Sequence, residues 1–268
     1  MKIKSIALAA IAALTLAQSA FATPVIFTGS GTYSGDGHAL SASATFDIVG
    51  SSLKLTLTNT DSFAGRFKNP WGLTGVFWDL ATSQPLTTVG ASATVAAGAI
   101  LDPSSCYSTV NCATETNVGG EFRYQVSPYG TSGAPAGIGK YGIASSGYIG
   151  GAANLNGSDL ASPAAVDGRN FSIVGSNSLG LTPVSEPSIK STVTFLLPGL
   201  STGFSLASLA NVAFTYGTAW GEATIGGSCG ANCGGGGGGG GGNVPEPGSL
   251  ALVGVALLGL GIARGRLS

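Results

Sequence analysis

Leu40-Ser41-Ala42-Ser43-Ala44-Thr45-Phe46-Asp47-Ile48 is followed by Gly50-Ser51-Ser52 and then by Leu53-Lys54-Leu55-Thr56-Leu57-Thr58. Apolar and polar residues alternate strictly on both sides of the short Gly/Ser break. A period of two places every apolar side chain on one face of a pleated strand, whereas a helix would scatter them around its circumference. Two such runs joined by a tight turn make a β-hairpin with one buried face. Asn59-Thr60-Asp61 closes it.

The same grammar extends in both directions. Val25-Ile26-Phe27 starts a strand that is expected to break at Gly29-Ser30-Gly31 and again at Gly35-Asp36-Gly37. Downstream, residues 73–80 (Leu-Thr-Gly-Val-Phe-Trp-Asp-Leu), 121–127, 141–149, 171–174 and 191–197 read as strands. Residues 87–101 are apolar and extended, and residues 206–209 make one turn of helix. Asn211 to Thr218 is the last strand, with Trp220 and Glu222 just behind it. About ten short strands, Gly-rich turns and no long helix predict an all-β chain, an antiparallel β-sandwich of jelly-roll-like form. From Gly226 the composition changes to near-continuous glycine, ending at Asn243. Such a run has no side chains to bury and maximal backbone entropy, so a flexible tether is expected.

Composition agrees with a packed body. Charged residues make up only 9% of the chain and apolar ones 44%, against a charged share of about 25% in ordinary soluble domains. Disordered chains are charged and poor in apolar residues, the reverse of what is seen. Of 11 basic residues four (Lys2, Lys4, Arg264, Arg266) lie at the chain ends, as does one (Glu246) of 12 acids; seven and eleven remain, about −4 for the body. No basic footprint for nucleic acid exists.

Both ends carry targeting patterns. Lys2 and Lys4 precede an apolar run from Ile6 to Leu16, and Ala20-Phe21-Ala22 is a small-x-small cleavage site. This is the form of a secretory signal peptide with Thr23 as the mature start, so the chain is expected to be exported. At the other end Val244-Pro245-Glu246-Pro247 leads into an apolar stretch closed by Arg264 and Arg266. The prolines hold the motif extended. The stretch at residues 249–263 is about 15 residues, short of the ~20 of a comfortable span, so the expected membrane helix is thin and its arginines lie on the cytoplasmic side.

This three-part ending resembles the PEP-CTERM sorting signal of exosortase-dependent bacterial surface proteins. The resemblance covers about the last 25 residues. It implies that an exosortase recognises the tail near Pro245–Pro247 and removes the helix, in a Gram-negative host that makes exopolysaccharide. The expected plan is a signal peptide at 1–22, an all-β extracellular domain at 23–225, a Gly-rich linker with a Cys pair at 226–243 and the sorting signal at 244–268.

Little in the body signals chemistry. Cys106/Cys112 and Cys229/Cys233 are local pairs, which in an exported chain favour disulfides over zinc, although four cysteines allow three connectivities. His38, the single histidine, reads as a surface turn residue, and no Gly-x-Ser-x-Gly elbow accompanies it. Asp79, Glu115, Glu121, Asp159, Asp167 and Glu222 match no glycosidase pattern, and Asp36, Asp159 and Asp167 form no Asp-x-Asp-x-Asp calcium loop. Neither a catalytic residue nor a metal or cofactor is expected. The expected function is that of a non-enzymatic surface or extracellular-matrix protein. Its expected partners are the export machinery, an exosortase and extracellular polysaccharide, with membrane contact through the tail before processing. The alternatives are a carbohydrate-binding module stacking sugars on Trp71, Trp78 or Trp220, and a secreted hydrolase; for Trp71 and Trp78 core burial is the stronger expectation.

Overall fold

The structure is a computed structural model that describes residues 23–103, 112–127, 135, 137–145, 159–160, 171–182, 187–218 and 222–233. Both targeting ends lie outside the described residues. The first seven strands are β1 (Val25–Thr32), β2 (Ala39–Val49), β3 (Ser52–Asn59), β4 (Phe67–Lys68), β5 (Leu73–Leu80), β6 (Ser92–Thr94) and β7 (Ile100–Leu101). They are followed by β8 (Phe122–Val126), β9 (Tyr141–Ser145), β10 (Ile173–Val174), β11 (Leu181–Thr182) and β12 (Ser188–Lys190). The last four are β13 (Thr192–Pro198), β14 (Leu209–Tyr216), β15 (Ala223–Gly226) and β16 (Ser228–Ala231).

The fold is mostly β, in two large and mainly antiparallel sheets. One is six-stranded in the order β16-β1-β2-β3-β13-β6. The other runs β15-β14-β5-β10-β12-β7, with β9 and β8 branching from β5. The hairpin predicted from the alternation is β2–β3, in register from Ala42 opposite Asn59 to Val49 opposite Ser52. Gly50 opens its two-residue turn at φ 60°, the positive first position that a tight hairpin needs and that glycine supplies without steric cost.

The alternation explains the packing. Leu40, Ala42, Ala44 and Phe46 of β2, Leu53, Leu55 and Leu57 of β3, and Val193, Phe195 and Leu197 of β13 are all at most 1% exposed. Burying each Leu, Val or Phe contributes roughly 1.5–3 kcal/mol. The two sheets meet through aromatic contacts. Phe46 on β2 meets Trp78 on β5 edge-on at 5.6 Å, and Phe195 on β13 meets Phe122 on β8 at 4.9 Å. β5 is buried along nearly its whole length, which is why its sequence reads as a largely apolar run rather than an alternating one.

The outer face of the six-stranded sheet is a field of hydroxyls. Thr45, Thr56, Thr194 and Thr94 stand opposite one another across four adjacent strands. Thr28, Ser43, Thr58 and Thr192 form the neighbouring row. Asp47 faces Lys54 at the turn end and is the pair of charges on this border.

Several elements differ from expectation. β1 does not break at Gly29-Ser30-Gly31. A Cβ on Gly29 would sit 2.8 Å from the Phe214 ring and 2.9 Å from the Gly226 carbonyl oxygen, and one on Gly31 would meet the Ile225 side chain. These glycines let β1 approach β14 and β15 closely; they do not make a turn. The chain also remains in strand past Gly226, where a tether was expected. Ile225 is 8% exposed, the Gly227 N–H donates to the Val212 carbonyl at 2.7 Å, and β16 pairs with β1. One inserted isoleucine and a strand edge to complete outweigh the glycine composition. Two short pairings, β10–β12 and β4–β11, are parallel. The helical turn expected near Leu206 is a 3-10 turn at Leu206–Ser208, capped by the Ser205 hydroxyl, which accepts from the Ala207 N–H.

Candidate functional site

The residues to which the sequence gives a role fall into two groups. Ala20, Ala22, Cys106, Trp220, Val244, Pro245, Glu246, Pro247, Arg264 and Arg266 lie outside the described residues. The remainder are in the body, and the structure gives most of them structural duties.

Trp78 is fully buried and Trp71 is 7% exposed. Trp71 has no free ring face for a sugar. The His38 imidazole lies on it at 3.7 Å with 7° between the planes, and the Lys68 ammonium sits 4.9 Å from its ring centre. Its Nε1–H donates to Asp36. Sugar stacking on Trp71 or Trp78 is therefore overturned, because stacking needs an open aromatic face.

His38 is the larger surprise. The expected surface turn residue has a side chain only 12% exposed, with Nε2 2.6 Å from Asp61 Oδ2. Phe63 and Phe67 close on its edge. Gly37, at φ 79°, turns the chain so that His38 points back over the body. Asp36, two residues earlier, accepts from the His38 N–H, from Lys68 Nζ at 2.7 Å and from Trp71. The hydrogen bond from Lys68 is the main reason the Asp36 carboxyl ionises below its usual range. Its hold on the turn is complete above the ordinary carboxylate pKa and fades as pH falls through the lowered folded value.

A His–Asp pair is two-thirds of a nucleophilic triad. Among the described residues, however, no serine, threonine or cysteine hydrogen-bonds the other His38 nitrogen, and the ring is clamped against Trp71. The pair ties the β1–β2 turn to the segment after β3. Nothing in the sequence between positions 38 and 61 signals this contact; only the return of β3 alongside β2 brings them together.

The candidate acids are likewise engaged, on separate elements. Asp79 accepts from the Lys140 N–H and from Asn211, Glu115 from the N–H groups of Thr116 and Asn117, and Glu222 from the Thr218 N–H. Asp159 pairs with Arg123 at 2.6 Å. Glu121 is 1% exposed, in a 3-10 turn before β8. Asp167 lies outside the described residues. Among the described residues no three His, Cys, Asp or Glu groups converge as a metal would require, and no helix is long and apolar enough to cross a membrane.

Cys229 and Cys233 form a disulfide with Cα atoms 6.1 Å apart, an ordinary separation for this bond. Cys112 is buried and disulfide-bonded as well. The Cys229–Cys233 bridge closes the end of β16 onto Asn232, whose φ of 61° turns the chain and whose amide donates to the Pro24 carbonyl. So short a loop contributes about 2 kcal/mol in the chain-entropy account. Serine at both positions is expected to cost that much or less, seen by hydrogen exchange as early loss of protection in β16. Equal loss across both sheets would show that the bridge holds the whole fold instead.

No curated protein and no solved structure matches this chain. A family model does match its end. The body finishes at a stapled edge strand, and the segment past the polyglycine run, residues 243–266, fits the PEP-CTERM protein-sorting motif, so the chain is one that carries a PEP-CTERM sorting motif.

Proposed function

We propose that the protein is a non-enzymatic component of the cell surface or extracellular matrix, with a jelly-roll-like body delivered through its tail and working among exopolysaccharide or biofilm. In this reading residues 1–22 direct export and are removed. The apolar helix then holds the precursor in the membrane until an exosortase cuts near Pro245–Pro247. The observation that carries it is the match over residues 243–266 behind a β body. The single histidine and the candidate acids Asp79, Glu115, Asp159 and Glu222 are each engaged in structural contacts, which supports a binding or structural role over catalysis.

Intact-mass spectrometry of the protein from its native host tests the sorting step. The extracellular species is expected to begin at Thr23 and to lack everything beyond the Pro-Glu-Pro motif. Glu246→Ala is expected to leave most of the protein in the membrane fraction at precursor length, because the carboxylate is the single charged feature of the extended motif. A wild-type protein that keeps residues 250–268 outside the cell would sink the reading and leave a membrane-tethered β domain.

A further inference from the structure

We infer that the outer face of the six-stranded sheet is a docking surface for a neutral polysaccharide chain, which lies across the strands along the two threonine rows. This rests on the reading that the body works outside the cell among secreted glycans, and it assigns a surface to that role. The rows use the pattern Ser/Thr-x-Thr on neighbouring strands: Ser43-Ala44-Thr45, Thr56-Leu57-Thr58 and Thr192-Val193-Thr194. The middle residue of each is buried and the outer two are partly exposed. β-propensity alone accounts for threonine on a strand. It does not account for the absence of charge from these rows among the described residues, since exposed sheet faces and edges commonly carry lysine and glutamate. Here the charged pair Asp47 and Lys54 stands at the turn border. The ion pairs Arg66–Asp102, Lys68–Asp36 and Arg123–Asp159 belong to other parts of the molecule.

A surface of hydroxyls without charge complements a partner that is itself neutral and hydroxylated, because each hydroxyl both donates and accepts. The strands that carry a row are spaced about 4.8 Å apart, close to the length of one pyranose with its glycosidic oxygen; in the second row the Thr58 and Thr192 hydroxyls lean together to 3.0 Å and bond each other. The row through Thr45, Thr56, Thr194 and Thr94 therefore offers one threonine per sugar. The sheet twists by roughly 20° per strand, so a flexible chain can follow the rows, whereas a planar partner such as ice or a crystalline fibre face touches only part of them. At one end the row that finishes at Thr28 runs into a depression of 370 Å³ lined by Thr28, Ser30, Ser41, Thr60 and Ser228. There β16 pairs with β1 only as far as Thr28, and the rest of that β1 edge has no strand partner among the described residues. Backbone groups thus join the hydroxyls at the end of the track.

The test is affinity electrophoresis of the purified full chain in detergent through gels containing a soluble neutral β-glucan, with an acidic polyuronate as counter-probe. The neutral glucan is expected to retard the protein and the polyuronate to leave it unshifted. The triple variant Thr45→Val, Thr56→Val, Thr194→Val keeps the β-branched shape and removes three hydroxyls. It is expected to bind at least about tenfold more weakly, since each lost hydrogen bond is worth a few-fold in affinity. If its melting temperature changes, Ser41→Ala with Ser228→Ala at the depression carries the test, with a few-fold loss expected. Unretarded wild type, preference for the polyuronate, or undiminished binding by a folded variant overturns the inference. Binding is read on purified protein, so its failure leaves the sorting step standing, and failed processing in the host leaves the glycan result standing.

Discussion

Trp78→Ala is expected to cost about 4 kcal/mol, within the range for emptying an indole-sized site in a core. The indole is fully buried on the central strand β5. It touches Phe46 of the opposite sheet edge-on at 5.6 Å and stacks with Tyr141 of β9 at 6.0 Å. It is therefore where the two sheets and the β8–β9 branch all meet. Gly139 allows this, because a Cβ there would run into the Trp78 backbone. Domains are stable by about 5–15 kcal/mol, so the variant should lose roughly a quarter to four-fifths of that margin. In urea the midpoint should fall by roughly 2 M, taking a slope near 2 kcal/mol per M.

Trp78→Phe separates packing from polarity. The indole N–H is buried with no hydrogen-bond partner, so replacing it sacrifices no bond and relieves a desolvated donor. The phenyl ring retains contact with Phe46, and the expected loss is about 1 kcal/mol, the smaller-cavity limit. Equal costs for the alanine and phenylalanine variants would mean that the sheets are held together elsewhere, with Phe122 and Phe195 the next candidates.

The parts of this fold legible in the sequence are those where a single physical signal stands alone. Strict alternation fixes β2 and β3 because one face of their sheet is wet, so period two survives in the residues. β5 is legible for the opposite reason, as an aromatic apolar run. What stays hidden depends on contacts between distant segments. Gly29 and Gly31 look like a turn until Phe214 and Ile225 are set against them. The strands β15 and β16 are lost in a glycine-rich background, since Ile225 is the single large apolar residue in the two. β4, β11 and β12 are two or three residues long, too short for any period to register. The sorting motif at residues 243–266 is matched on its sequence alone, and so it is fully legible. The hydroxyl face lies between these cases. Its Ser/Thr-x-Thr patterns are in the sequence, but only strand order places β13 beside β3 and β6 beside β13.

Asp61→Ala is expected to cost about 3 kcal/mol, although the residue sits in a segment that reads as a simple hairpin closure. Asp61 is 8% exposed and does three jobs. Its Oδ2 holds the His38 ring at 2.6 Å, its Oδ1 accepts from the Phe63 N–H at 2.8 Å, and its own N–H donates to Asn59 Oδ1. Asn59 in turn donates to the Ile173 carbonyl at 2.8 Å. The chain His38–Asp61–Asn59–Ile173 thus couples the turn after β1, the end of β3 and strand β10. Burial chiefly, and then the Asp61 charge, push the ionisation of the Tyr216 hydroxyl far above its usual value, so this carboxylate's field reaches the core. Removing the carboxylate leaves the histidine nitrogen and the Phe63 N–H desolvated without an acceptor, each worth about 1–3 kcal/mol. Asp61→Asn keeps one oxygen for Phe63 and should lose about 1 kcal/mol. A double-mutant cycle with His38→Ala isolates the pair, and a coupling of about 1.5–3 kcal/mol is expected for two groups in direct contact within one network. A coupling near zero would mean that His38 is held by its stack on Trp71 alone, and the turn would then owe its position to Asp36 and Lys68.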